Sequence, residues 1–366
     1  MRRWRAMATT AGAGMLMAAL SMPTAAGVIP PHPGNSFRQA NLVSDIPGVA
    51  RRTDPNLINP WGMSFGPTTP LWVSDADADV TTLYQGATHP GEPLDVIPLV
   101  VSIPGGSPTG QVYNSSSDFV VTSGSDSGPA LFIFASETGN ITGWNPSVPS
   151  PAPSTEAQVA VARPHAIYKG LAIANTAAGN WLYAANFHSG HIDVFDGNWT
   201  QLHWAGAFND PSLPAGYGPF NVQKLGGHLF VTYAKQDPTR HDEVAGPHKG
   251  FVDEYTLYGH LVRRVASRGW LNAPWGLAWA PANGFGRFSG DLLVGNFGDG
   301  HISAYNPTNG HFEGQLRHPD GTKVEIQGLW GLRFGNGVAG STHSLLFTAG
   351  IGDEAHGLLG TLEFTH

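Results

Sequence analysis

One short pattern recurs along this chain, and its spacing constrains the fold more than any other feature. Three copies are strong: Asn59-Pro60-Trp61-Gly62-Met63, Ala273-Pro274-Trp275-Gly276-Leu277 and Gly328-Leu329-Trp330-Gly331-Leu332. Three are weaker: Pro108-Thr109-Gly110-Gln111-Val112, Tyr168-Lys169-Gly170-Leu171 and Gly218-Pro219-Phe220-Asn221-Val222. The residue before the glycine, or its equivalent, stands at 61, 109, 169, 220, 275 and 330, at intervals of 48, 60, 51, 55 and 55. A repeat of that length is one supersecondary unit that must stack on its neighbours to bury its apolar faces. Six copies predict an all-β fold, a six-bladed β-propeller of four-stranded antiparallel blades.

A second element recurs inside each unit. Leu71 to Tyr84, Phe132 to Trp144, Leu182 to Phe195 and Leu292 to Tyr305 each read as an apolar strand, a Gly/Asp/Asn turn and a second alternating strand. That is a hairpin signature. The fourth unit has the same hairpin, from Phe230 to Tyr233 and from Phe251 to Tyr255. Its aligned positions lie 21 residues apart where the other copies have 9, so its turn carries 12 extra residues. The sixth unit, Leu346 to Thr348 and Gly360 to Phe364 around an enlarged turn, ends one strand short. Arg38 to Val43, ahead of the first repeat, is predicted to supply that strand and close the ring, which removes exposed sheet edges.

Composition agrees with this architecture. The 48 Gly and 29 Pro supply many turns, and 18 Phe with 11 Trp supply a core. A net charge of −8 without a basic stripe argues against nucleic acid as a partner. Cys is absent, which excludes thiol nucleophiles and thiolate metal sites. No G-x-S-x-G elbow, phosphate loop or dinucleotide fingerprint occurs, so no nucleotide cofactor is expected. Arg2, Arg3 and Arg5, the apolar run Ala11 to Leu20 and the small residues ending at Ala26 read as a signal peptide over residues 1–26. Residues 27–366 then form a single propeller domain, secreted or periplasmic. The apolar run is too short to span a membrane, and no second one follows.

In a propeller, the turn between a blade's second and third strands shares a face with the link into its innermost strand. The hairpin turns should therefore converge around one channel mouth, where loops from many blades meet. Those turns hold a cluster of acids and histidines, in a chain in which only 13% of residues are charged. The candidate metal ligands are Asp75, Asp237, Asp242 and Asp299, for calcium or a transition metal. The candidate catalytic groups are His188, His241, Glu354 and His356, as ligands or proton carriers. Glu137, Glu243 and His248 sit in the same turns. Lys169, which replaces an aromatic in the repeat, and Trp61, Trp275 and Trp330 are placed at the channel rim as candidate ligand contacts. Asp is also a default turn residue, and the tryptophans suit core packing equally well. Asp75-x-Asp77-x-Asp79 lacks the glycine and terminal Glu of an EF-hand loop. The long fourth turn holds Pro238, Val244, Ala245 and Pro247 beside its charges, so it is expected to pack inward as a lid over the mouth.

The run of NPWG, YKGLAIA, ANFHSGHIDVF, VTYAKQD, NAPWGLAWAP, LLVGNFGDG, GLWGLRFGNG and FTAGIGDEAHGLLGTL resembles a family of secreted bacterial proteins of uncharacterised function, some with PEP-CTERM sorting tails. The resemblance covers about Asn41 to Phe364, and no such tail stands before His366. More distantly, the repeat is similar to NHL repeats and to lactonase propellers of the regucalcin and paraoxonase group. That likeness implies a metal-assisted, hydrolase- or lactonase-like enzyme acting on a small molecule at the channel mouth. The alternative is an extracellular module that binds carbohydrate, peptide or another surface polymer, with structural calcium in its acidic turns.

Overall fold

The computed structural model describes residues 34–365, so the predicted signal peptide over residues 1–26 lies outside the described residues. Six antiparallel sheets are arranged in chain order. The first blade comprises Pro60–Ser64, Leu71–Asp75, Val80–Gly86 and Leu94–Ser102. The innermost strands of the next five are Pro108–Tyr113, Tyr168–Thr176, Tyr217–Leu225, Pro274–Trp279 and Leu329–Phe334. Each carries one of the six repeat positions. The long interval after the second copy includes a side hairpin, Val120–Ser123 with Asp126–Pro129.

The ring closes as the repeat predicts. Phe37–Ser44 pairs antiparallel with His356–Phe364 in the sixth blade, and Arg52–Thr53 adds a short parallel strand beyond it. Phe37 is fully buried and packs on Phe285, Phe288 and Phe364. One expectation changes. The sixth-blade turn is tight rather than enlarged, because Ile351 already pairs with His356. Gly352, Asp353 and Glu354 all take left-handed backbone angles, which compress the reversal into four residues.

The glycine of the repeat has a direct cause. A Cβ on Gly276 would lie 2.7 Å from the Trp330 carbonyl oxygen, and one on Gly331 2.7 Å from that of Trp61. Gly62, Gly110 and Gly170 meet the backbone of the following blade in the same way. In the fourth blade Asn221 takes this place, and its side-chain amide donates to the Trp275 carbonyl at 2.8 Å. In five of the six blades the glycine thus approaches the next inner strand closer than a side chain allows, and the repeat marks the contact that builds the ring. Among the described residues, no helix is long and apolar enough to cross a membrane.

Candidate functional site

The residues preceding those glycines point into the channel and fill it. Trp61 stacks on Trp330 with ring centroids 3.4 Å apart, and Trp275 meets both edge-on at about 6 Å. Phe297 and Phe220 pack against Trp330. With 2%, 4% and 1% of their surface exposed, Trp61, Trp275 and Trp330 form a plug rather than an open ligand platform. Aromatic pairs of this kind contribute about 0.5–1.5 kcal/mol each beyond their burial.

Lys169 occupies the same ring position and is 1% exposed. Its Nζ lies 5.2 Å from the Trp61 ring centroid and 5.9 Å from that of Phe187. On its other side it pairs with Glu137 of the second-blade turn and, at 3.4 Å, with Asp242 of the long fourth-blade turn. Burial disfavours the ammonium, but Glu137, Glu243 and Asp242 outweigh that cost and raise its pKa. The predicted inward packing of the fourth turn is thus what puts Asp242 on Lys169. Its Val244 N–H donates to Lys235, and its Gly246 N–H donates to the Asn272 side chain at 2.6 Å.

His241 Nδ1 lies 2.8 Å from Asp242 Oδ1, with the carboxylate accepting. Burial pushes Asp242 up, yet the His241 hydrogen bond and the Lys169 charge hold it below its usual value. One ligand atom each from Glu137, His241 and Asp242 falls within 4.8 Å of the others. An imidazole and two carboxylates are a donor set suited to a divalent ion of borderline hardness. Glu243 is raised mainly by burial. Counting Glu243, three carboxylates face one ammonium, so the cluster can still accept a cation.

Glu354 stands on the sixth-blade side. Burial, reinforced by the charges of Glu243 and Glu137 against a hydrogen bond from Asn59, raises it to about 7. Asn59 donates to Glu354 at 3.1 Å and accepts from Trp330 Nε1 at 3.0 Å, tying the acid to the plug. Glu354 and Asp299 line a cavity of about 350 Å³ with Ala245 of the long turn and Phe297.

The other candidates are placed differently. Asp237 works inside its own loop, where its carboxylate accepts from the His241 N–H at 2.9 Å and the Thr239 hydroxyl at 2.6 Å. Asp75 is fully buried, accepts from Thr82 at 2.8 Å, and is raised well above its usual value by burial. Asp299 accepts from the Asn296 amide and the His301 N–H, as a turn former does. His356 pairs with Asp45 at 2.7 Å. His188 lies in the third-blade turn with Nδ1 buried and without a hydrogen bond. Sequence reasoning missed Asn59. Its signal is a polar, left-handed residue at a repeat position that Ala273 and Gly328 fill elsewhere.

No protein-family model matches the chain. Uncharacterised proteins of Acanthamoeba polyphaga mimivirus do: protein R648 is 34% identical over 88% of this chain and 78% of its own length. The chain belongs to their family. The second member, protein L690, is 35% identical over 80% of this chain and 77% of its own length. These relatives are viral, so they do not support the bacterial, secreted origin that the sequence resemblance implied. Among solved structures, virginiamycin B lyase from Staphylococcus aureus is similar over 90% of this chain and 99% of its own, with a TM-score of 0.51 and 12% identity. At that identity the likeness concerns the propeller fold alone.

Proposed function

We propose that the acidic channel mouth holds a divalent transition-metal ion through Glu137, His241 and Asp242, and that the protein is a metal-assisted enzyme of the hydrolase or lyase type acting on a small molecule there. The observation that carries this reading is the convergence of an imidazole and two carboxylates, from two separate blades, beside a carboxyl group held near neutrality. A metal ion in such a site polarises a carbonyl or activates water. Glu354 is the group able to give or take a proton at neutral pH. Lys169 holds Glu137 and Asp242 in place and limits the negative charge they present. The signal-peptide pattern of residues 1–26 supports export from the cytoplasm.

A second reading rests on Lys169 itself. An ammonium already pairs with two of the acids, so the mouth can also serve as a binding surface for a small molecule or extracellular polymer without catalysis. Calorimetric titration with Mn²⁺, Zn²⁺ and Ca²⁺ separates the two. The enzyme reading expects one transition-metal ion per chain, bound at least about tenfold more tightly than calcium, and lost in the His241→Ala, Asp242→Ala double variant. That variant changes partly exposed groups and should keep stability within about 1 kcal/mol of the parent. Equal calcium binding, or none by any ion, puts the binding module in front.

A further inference from the structure

The opposite end of the channel, below the tryptophan plug, contains a cavity of about 280 Å³. It is lined by the far halves of the inner strands, and Trp275 forms part of its boundary. Arg333, from the innermost strand of the sixth blade, faces this space. Its guanidinium lies 4.3 Å from the Phe65 ring centroid. Its Nε is buried without a hydrogen-bond partner. Among the described residues it makes no ion pair with any carboxylate.

A cation held partly out of water without a counter-charge is costly, and folded proteins normally pair it. Burial alone lowers Arg333 to about 10, which leaves it charged at neutral pH. The one other charged side chain lining the cavity is Lys224, also a cation, and no acid lines it. That is unexpected in a chain with 27 acidic and 19 basic residues. Met63, Val112, Ile173 and Leu332 supply apolar walls between the polar side chains of Ser64, Gln111, Asn175 and Gln223.

We propose that this cavity binds a small organic carboxylate, whose two oxygens sit on the Arg333 guanidinium and whose hydrocarbon body lies against the apolar walls. The planar fork of arginine matches a carboxylate in two parallel hydrogen bonds. One partly buried cation suits a monoanion, and the apolar side chains of the lining favour an organic acid over a fully hydrated inorganic ion. The volume is near the lower end for small-molecule sites. Lys224, at the exposed rim, attracts the anion without contacting it closely.

The test is calorimetric titration of the full chain with benzoate and with inorganic phosphate at constant ionic strength. Benzoate should bind one per chain, at least about tenfold more tightly than phosphate. Arg333→Met should weaken benzoate by at least about tenfold. Should that variant not fold, Arg333→Lys, which keeps the charge and loses the fork, should show the same direction of loss. The His241→Ala, Asp242→Ala double variant should bind benzoate as the parent does, which separates this cavity from the metal site. Absence of benzoate binding, tighter binding of phosphate, or an unchanged affinity in the Arg333 variants would overturn the proposal.

Discussion

Lys169 illustrates how one residue can organise a site. It stands where the repeat elsewhere places a tryptophan, a phenylalanine or a threonine, so its long side chain runs beside the plug and its ammonium emerges among the acids of the mouth. The substitution was legible in the aligned repeat. Its partners were legible only as acids in turns, since nothing in a linear pattern says which of the turn carboxylates touch. Glu354 gives a pH test. Its pKa is raised to about 7, so it is neutral below that pH and negative above it. Cation binding at the mouth should therefore strengthen as pH rises through 7. In Glu354→Gln the side chain stays neutral, and the Mn²⁺ affinity ratio between pH 8 and pH 6 should fall severalfold relative to the parent. An identical ratio in both proteins would remove Glu354 from the site.

At the scale of strands and turns, the repeat is explained by contact between neighbouring blades. A Cβ on Gly110 would sit 2.7 and 2.8 Å from the carbonyl carbon and Cα of Gly170, both backbone atoms that cannot swing aside. Gly110→Ala should thus destabilise by about 3 kcal/mol or more, because overpacking between rigid strands forces backbone shifts. Gly227, whose added Cβ would meet nothing within 4 Å, is the control: Gly227→Ala should stay within about 0.5 kcal/mol. Equal melting curves for the two would show that the close approach is not the reason for glycine. The long fourth turn follows a different logic. Its prolines and apolar residues indicated packing. Which of its charges reaches the channel is set by Asp237, which ties down the backbone of His241 and Asp242 from within the loop.

For the whole molecule, closure depends on a strand from the start of the chain completing the last blade. Phe37–Ser44 contributes its pairing along His356–Phe364 and the burial of Phe37, Leu42 and Val43. A chain starting at Asp45 should lose cooperative melting and scatter light in a concentration-dependent way, because an unpaired edge recruits other chains. A peptide of residues 34–44 added in trans should restore the transition. Unaltered melting of the truncated chain would mean that the ring does not need this clasp. The sequence by itself determined the blade number, the strand pairs and the clasp, because each rests on local periodicity and on a glycine that only one kind of contact demands. Only the tertiary structure decided that Trp61, Trp275 and Trp330 close the channel, that Glu137, His241 and Asp242 meet across blades while Asp75 and His356 find other partners, and that Arg333 faces a cavity that no carboxylate lines. Those outcomes depend on the radius of the ring and the direction of each side chain across it, and residues over a hundred positions apart leave no periodic trace of that distance.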